Sequence, residues 1–272
     1  MRSEHILIVT ITSHHEIEDS GFVWIRSALS TAVLLVVAAC GNSNGVGVET
    51  ELLVSAAASL TNAFAEIEAA FEEANPEVDV ILNLGGSSSL REQILEGAPV
   101  DVFASANTSN MDQVVEAGEV GSNPEIFARN VLQIVVPSGN PAGVTGLADL
   151  ARSELLIGLC AEQVPCGDFA RRALANAGVT PAIDTNEPDA RALLTKIEAG
   201  ELDAGITYLT DVASTEGGVD GIDIPEDEKV VAEYPIVLLA GASSPDVASL
   251  FVEFVVSEQG QAILADHGFA SP

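Results

Sequence analysis

The stretch Ser55-Ala-Ala-Ala-Ser-Leu-Thr-Asn-Ala-Phe64 decides how the rest of the chain is read. Before it, Leu52-Leu53-Val54 is a short apolar run, the pattern of a buried strand. After it, Leu60 to Ala74 is rich in Ala, Glu and Phe, and Leu60, Phe64, Ile67 and Phe71 recur at helical spacing to give one apolar face. Between the two sit small residues and Ser59, a residue type preferred at a helix N-cap. A strand feeding a helix in this way brings several free backbone N–H groups to one point. That point carries partial positive charge and suits an anion.

Outward from this unit, strands and helices alternate, which predicts α/β layers with mostly parallel strands. Val78 to Leu84 reads as a strand, and Gly85-Gly86-Ser87-Ser88-Ser89 turns into a helix from about Leu90 to Glu96. Val100 to Ala104 is a short strand, Met111 to Ala117 a helix, and Val131 to Val136 an apolar strand closed by Pro137. Leu147 to Arg152 is a short helix and Leu155 to Leu159 a strand. Cys166-Gly-Asp-Phe opens a helix reaching Ala177, and Glu187-Pro-Asp-Ala190 opens another ending at Gly200. Ala204 to Tyr208 is a strand, Val230 to Ala240 a long one interrupted by Pro235, and two helices at 245–257 and about 258–265 close the chain. The strands at Val131–Val136 and Val230–Leu239 are candidates for two crossings between lobes. Lobe one is then about 50–131 plus 236–272, lobe two about 132–235, with a ligand in the cleft where strand ends and helix starts face each other.

With 47% hydrophobic and 19% charged residues among 272, wholesale disorder is excluded. The 41 acidic against 10 basic residues give a formal charge of −31, which repels nucleic acid and anionic lipid. It also repels a small oxyanion at long range, but screening beyond about 8 Å at physiological salt leaves local dipoles in control of a pocket. Of the three cysteines, Cys160 and Cys166 lie close together in LCAEQVPCG while Cys40 ends an apolar run, so a disulfide and a separately used thiol are expected. A zinc site is not expected, because His267 is the only histidine beyond the leader. Residues 1–39 read as a signal peptide whose core, Ala28 to Ala39, follows Arg26 and is short for a bilayer span. Val37-Ala-Ala-Cys40 resembles the bacterial lipobox, which implies cleavage before Cys40 and lipidation of its thiol; an uncleaved membrane anchor is the alternative. Glu4, Glu16, Glu18 and Asp19 are unusual in a leader and point to a start nearer Val23. Residues 40–49, from Cys40 through GNSNGVGV, form a flexible tether.

Four helix starts then stand out, at Ser59, at Ser87-Ser88-Ser89, at Cys166-Gly167 and at Asp189-Ala190, two in each expected lobe. Tyr208, at a strand's C-terminal end, adds a phenolic donor. None of these brings a cation. A fully deprotonated tetrahedral oxyanion only accepts hydrogen bonds, so donors alone satisfy it, whereas protonated phosphate also needs an acceptor. About six charge-assisted bonds supply roughly 9–18 kcal/mol gross. Each residue also has a plainer reading: Ser59 as an N-cap, Ser87–Ser89 as an ordinary turn, Tyr208 as a core tyrosine, Cys166 as the partner of Cys160. Asp189 is expected to cap its own helix, pointing away from any anion. A serine hydrolase using Ser59 or Ser87 is a remote alternative, since neither sits in G-x-S-x-G and only His267 could be the base.

Taken together, AAASLTNAF (Ala56–Phe64), GSSSLREQILEGAPVDVFASA (Gly86–Ala106), QVPCGDFARRAL (Gln163–Leu174), PDARALLTKIEAGELDAGITYLTDV (Pro188–Val212) and EYPIVLL (Glu233–Leu239) resemble the periplasmic molybdate-binding proteins of ABC importers. The likeness runs in order, with similar spacing, across residues 50–270. It implies a type II periplasmic-binding-protein fold, with two α/β lobes joined by two crossing strands. It implies no enzyme activity and no cofactor: the chain captures molybdate, and tungstate too, and hands it to a permease driven by an ATPase. A receptor for sulfate or another tetrahedral oxyanion is the alternative. Carried over motif by motif, the oxyanion contacts are Ser59, Ser87, the backbone at Cys166, the backbone at Ala190 and the Tyr208 hydroxyl. Cys166 and Ala190 stand where many members have Ala and Val, a change that main-chain contacts tolerate. The lipobox with the Cys160–Cys166 pair is similar to surface-anchored members, which implies a monomeric lipoprotein held at the outer face of the cell membrane through Cys40.

Overall fold

The opening strand β1 (Thr50–Ala57) is buried continuously from Val54 to its end, because it lies between two parallel neighbours. A computed structural model of the protein describes residues 50–272; the expected leader, lipobox and Cys40 lie outside the described residues. After β1 a 3₁₀ turn (Ala58–Leu60) leads into helix α1 (Thr61–Ala74), whose Phe64, Ile67 and Phe71 are buried as their spacing predicts. Then come β2 (Val78–Gly85), α2 (Ser87–Leu95), β3 (Val102–Ala104), α3 (Thr108–Glu116) and the long β4 (Glu125–Pro137). The second set is a 3₁₀ turn (Leu147–Ala151), β5 (Ile157–Cys160), α4 (Pro165–Asn176), β6 (Ile183–Glu187), α5 (Ala190–Glu198), β7 (Ala204–Tyr208), α6 (Leu209–Ala213) and β8 (Val219–Asp223). The chain returns through β9 (Val231–Leu238) and closes with α7 (Pro245–Val256) and α8 (Glu258–Asp266).

Strand pairing runs β2-β1-β3-β9-β4-β7-β5-β6, with β8 also on β4. Strand β4 belongs to both halves: Glu125 to Val131 pairs with β9, and Leu132 onward pairs with β7, with β8 joining from Gln133. The expectation of mostly parallel strands is corrected here. β1–β2, β1–β3, β5–β6 and β5–β7 are parallel, whereas every pairing made by β4 and β9 is antiparallel. The reason is topological: each half is a parallel βαβ unit, and the strands that pass between halves run back against it. The architecture is a type II periplasmic-binding-protein fold, two α/β lobes on a shared, curled sheet.

Other boundaries moved. Helix α2 starts at Ser87, three residues before its expected start, so the serines lie in its first turn. Strands β6 and β8 escape the apolar pattern because IDTNE and VDGID carry polar, half-exposed residues.

Candidate functional site

Ser59, Ser87, Cys166, Ala190 and Tyr208 line one cavity, with Gly86, Ala106 and Asp189 also in its wall. The first two come from β1, β2 and the helices after them; the other three come from the starts of α4 and α5 and the end of β7. All five are nearly enclosed, from 1% exposed at Ser87 and Tyr208 to 5% at Ser59. The free space between these residues is small, with a cavity volume of about 10 Å³. So narrow a space points to a small ligand.

Helix geometry supplies the donors. Cys166 is in the first turn of α4, and Ala190 is the first residue of α5, where N–H groups have no intrahelical acceptor. Asp189 caps α5 as expected, its Oδ1 accepting from the Ala192 N–H at 2.9 Å, which leaves the Ala190 amide free of the cap. The Cys160–Cys166 disulfide, Cα–Cα 5.8 Å, ties the end of β5 to the start of α4 and so fixes where those amides point. Gly167 allows the same close turn: a Cβ there would lie 2.0 Å from the Ala161 carbonyl oxygen.

The hydroxyls are held individually. Ser87 Oγ accepts from the Ala106 N–H at 3.0 Å, so its own proton is available to the cavity. Ser59 does not cap α1. The intervening 3₁₀ turn makes Leu60 the N-cap, with no side-chain hydrogen bond, and Ser59 Oγ instead lies 2.9 Å from Tyr234 Oη. Tyr208 Oη is buried and has no hydrogen-bond partner among the described residues. Burial first, then the neighbouring Tyr234 and Asp211, raises its pKa well above that of a free phenol, so it stays a protonated donor. Its ring packs edge-on against Tyr234, centroids 5.9 Å apart.

Among the described residues no lysine or arginine lines the cavity. Arg191, next to Ala190, is turned elsewhere: Nη1 donates to Ser214 Oγ, Nη2 to Asn62 Oδ1 at 3.0 Å, and Nε lies 3.6 Å from Asp211 Oδ1. Asp211 is wholly buried, and burial outweighs that guanidinium and the Thr207 hydroxyl to lift its pKa to about 6. Of the groups of the hydrolase alternative, His267 Nε2 lies 2.9 Å from Glu66, Ser59 Oγ 2.9 Å from Tyr234 Oη, and Ser87 Oγ accepts from the Ala106 N–H. No cluster of metal-ligating side chains occurs among the described residues.

Sequence reasoning missed the groups behind the site: Ala106, Asn130, Thr210 and Tyr234. A tyrosine inside the apolar strand VAEYPIVL was the available signal, since a buried phenol needs a partner.

Comparison with known proteins bears on this geometry. Over 259 residues the chain is 36% identical to the molybdate-binding protein ModA of Mycobacterium tuberculosis, covering 92% of this chain and 99% of that one. Two solved structures share the fold. The sulfate-binding protein SubI of M. tuberculosis has a TM-score of 0.74 at 20% identity, over 82% of this chain and 87% of its own. The periplasmic molybdate-binding protein of Azotobacter vinelandii has 0.72 at 18%, over 81% and 99%. A family model described as bacterial extracellular solute-binding protein matches residues 52–270, nearly the whole described chain, and the protein belongs to that family.

Proposed function

We propose that the chain is an extracytoplasmic receptor that captures molybdate, and tungstate as well, and delivers it to an ABC importer of permease and ATPase. No cofactor takes part. The observation that carries the reading is the buried Tyr208 hydroxyl, unpartnered among the described residues, beside Ser59, Ser87 and the amides of Cys166 and Ala190, in a cavity that no described lysine or arginine lines. Donors alone suit a dianion with no proton of its own. The 36% identity to a protein named for molybdate supports the choice of anion; the fold likeness to a sulfate receptor supports architecture only.

In this reading lobe one is 50–131 plus 236–272 and lobe two 132–235, and closure dehydrates the anion and presents a joined surface to the permease. The chain is a monomer held at the outer face of the membrane through lipid on Cys40. Intact mass of the exported protein tests the anchor: a mature chain beginning before Cys40 would refute it. Calorimetric titration with molybdate, tungstate, sulfate and phosphate tests the ligand. Tight molybdate binding is expected; tight sulfate binding with no response to molybdate would replace it with the sulfate alternative.

A further inference from the structure

We propose that Tyr234, backed by Asn130, fixes the direction of the Ser59 hydroxyl, so that Ser59 meets the bound anion only as a donor. This rests on the reading of the cavity as an oxyanion site. The Val131 N–H donates to Asn130 Oδ1 at 2.9 Å and so sets which way the amide faces. Asn130 Nδ2 then donates to Thr210 Oγ1 at 2.8 Å and, more weakly, to Tyr234 Oη at 3.5 Å. An amide NH₂ cannot accept, so the Tyr234 oxygen is the acceptor in that contact. Its own proton goes to its other partner, Ser59 Oγ, 2.9 Å away. Ser59 Oγ accepts it, and the Ser59 proton is left to the cavity.

All three residues are buried, Tyr234 completely and Asn130 to within 3%, so water does not scramble the chain of bonds. Tyr234 is further fixed by edge-on contacts with Phe127, Tyr208 and Phe269. Ser87 repeats the device with a main-chain donor, its oxygen accepting from Ala106. Both serines thus have acceptor capacity filled from behind and a proton facing inward. An anion that carries a proton, such as hydrogen phosphate, needs an acceptor and meets two donors instead. Tyr234 and Asn130 are positioning residues for specificity: they touch Ser59, not the anion.

The test is calorimetric titration of the full chain with molybdate and with inorganic phosphate at slightly alkaline pH, where both anions are dianions. The variants are Tyr234→Phe, Ser59→Ala, their double, and Asn130→Asp. Tyr234→Phe should weaken molybdate binding about tenfold, and the double variant should bind no more weakly than Ser59→Ala alone. Asn130→Asp places an acceptor behind Tyr234 and reverses the chain of bonds, so the ratio of molybdate to phosphate affinity should fall. That ratio decides the matter if Tyr234→Phe folds poorly. A Tyr234→Phe penalty that persists undiminished on the Ser59→Ala background, or an unchanged ratio in Asn130→Asp, overturns the proposal and leaves the oxyanion site standing. No molybdate binding by the unaltered chain overturns both.

Discussion

At the scale of single residues, one of the five buried side-chain polar atoms without a hydrogen-bond partner among the described residues belongs to a cavity-lining side chain, Tyr208. A buried hydroxyl without a partner costs about 1–3 kcal/mol, and Tyr208 carries that cost in the closed arrangement unless an anion accepts from it. Tyr208→Phe should therefore leave the ligand-free melting temperature unchanged or raised while weakening molybdate binding by about 1.5–3 kcal/mol. Ser87→Ala should weaken binding by a similar amount. Unchanged affinity in both variants, measured by calorimetry, would remove these side chains from the site. Asp211 makes a separate, pH-dependent prediction. Its folded pKa of about 6 lies above the ordinary value of 3.8, so the folded state holds its proton more tightly than the unfolded state does. The stability this contributes is full below about pH 4 and is lost as pH rises through about 6, a change on the order of 2–3 kcal/mol. Asp211→Asn should flatten that part of the stability profile in denaturant titrations, and a slope equal to that of the unaltered protein would sink the assignment.

At the scale of elements, the parts legible in the sequence were those whose local chemistry and final environment agree. The apolar spacing of Leu60, Phe64, Ile67 and Phe71 predicted the face that α1 buries, and the pair Cys160 and Cys166 predicted the disulfide. The five cavity residues were legible because helix starts and small residues are local signals, strengthened by the family likeness. What was not legible depends on residues far apart in the chain. Tyr234 is 175 positions from Ser59, and nothing local says that the two hydroxyls meet. The polar strands β6 and β8 exist because β5 and β4 offer them partners, not because of their own pattern. Helix α2 starts ahead of its expected position because Gly86, with φ −62 and ψ 130, is already the N-cap and not part of a longer turn. The disulfide carries a prediction of its own. Closing so short a loop stabilises by about 2 kcal/mol, and the bridge lies behind the α4 amides. Reduction should lower the melting temperature more than it alters the ratio of molybdate to sulfate affinity; a collapse of selectivity with little loss of stability would mean that the bridge shapes the cavity directly.

For the whole molecule, the lobe division proposed above puts residues of both lobes in the cavity wall, so on that reading affinity depends on how closely they meet. Gly86 sits at that meeting point. A Cβ built there would lie 2.7 Å from the Pro188 carbonyl oxygen and 2.9 Å from Val164 Cγ1, both across the cleft. Backbone on the far side cannot turn aside as a side chain can, so relief requires that the lobes separate. The backbone angles of Gly86 are ones that any residue adopts freely, so an alanine there brings no strain of its own. Closure is also held by the bond from Arg191 to Asn62, which joins α5 to α1. Gly86→Ala should therefore fold normally, melt without ligand at the same temperature as the unaltered protein, and bind molybdate at least about tenfold more weakly, since the state competent to grip the anion is less populated. Small-angle scattering separates this from loss of a donor. The unaltered protein should become more compact on adding molybdate, Ser87→Ala should reach the same compactness at higher concentration, and Gly86→Ala should end less compact at saturation because its Cβ holds the two sides apart. Full compaction of Gly86→Ala with unchanged affinity would show that the lobes do not need this contact to close.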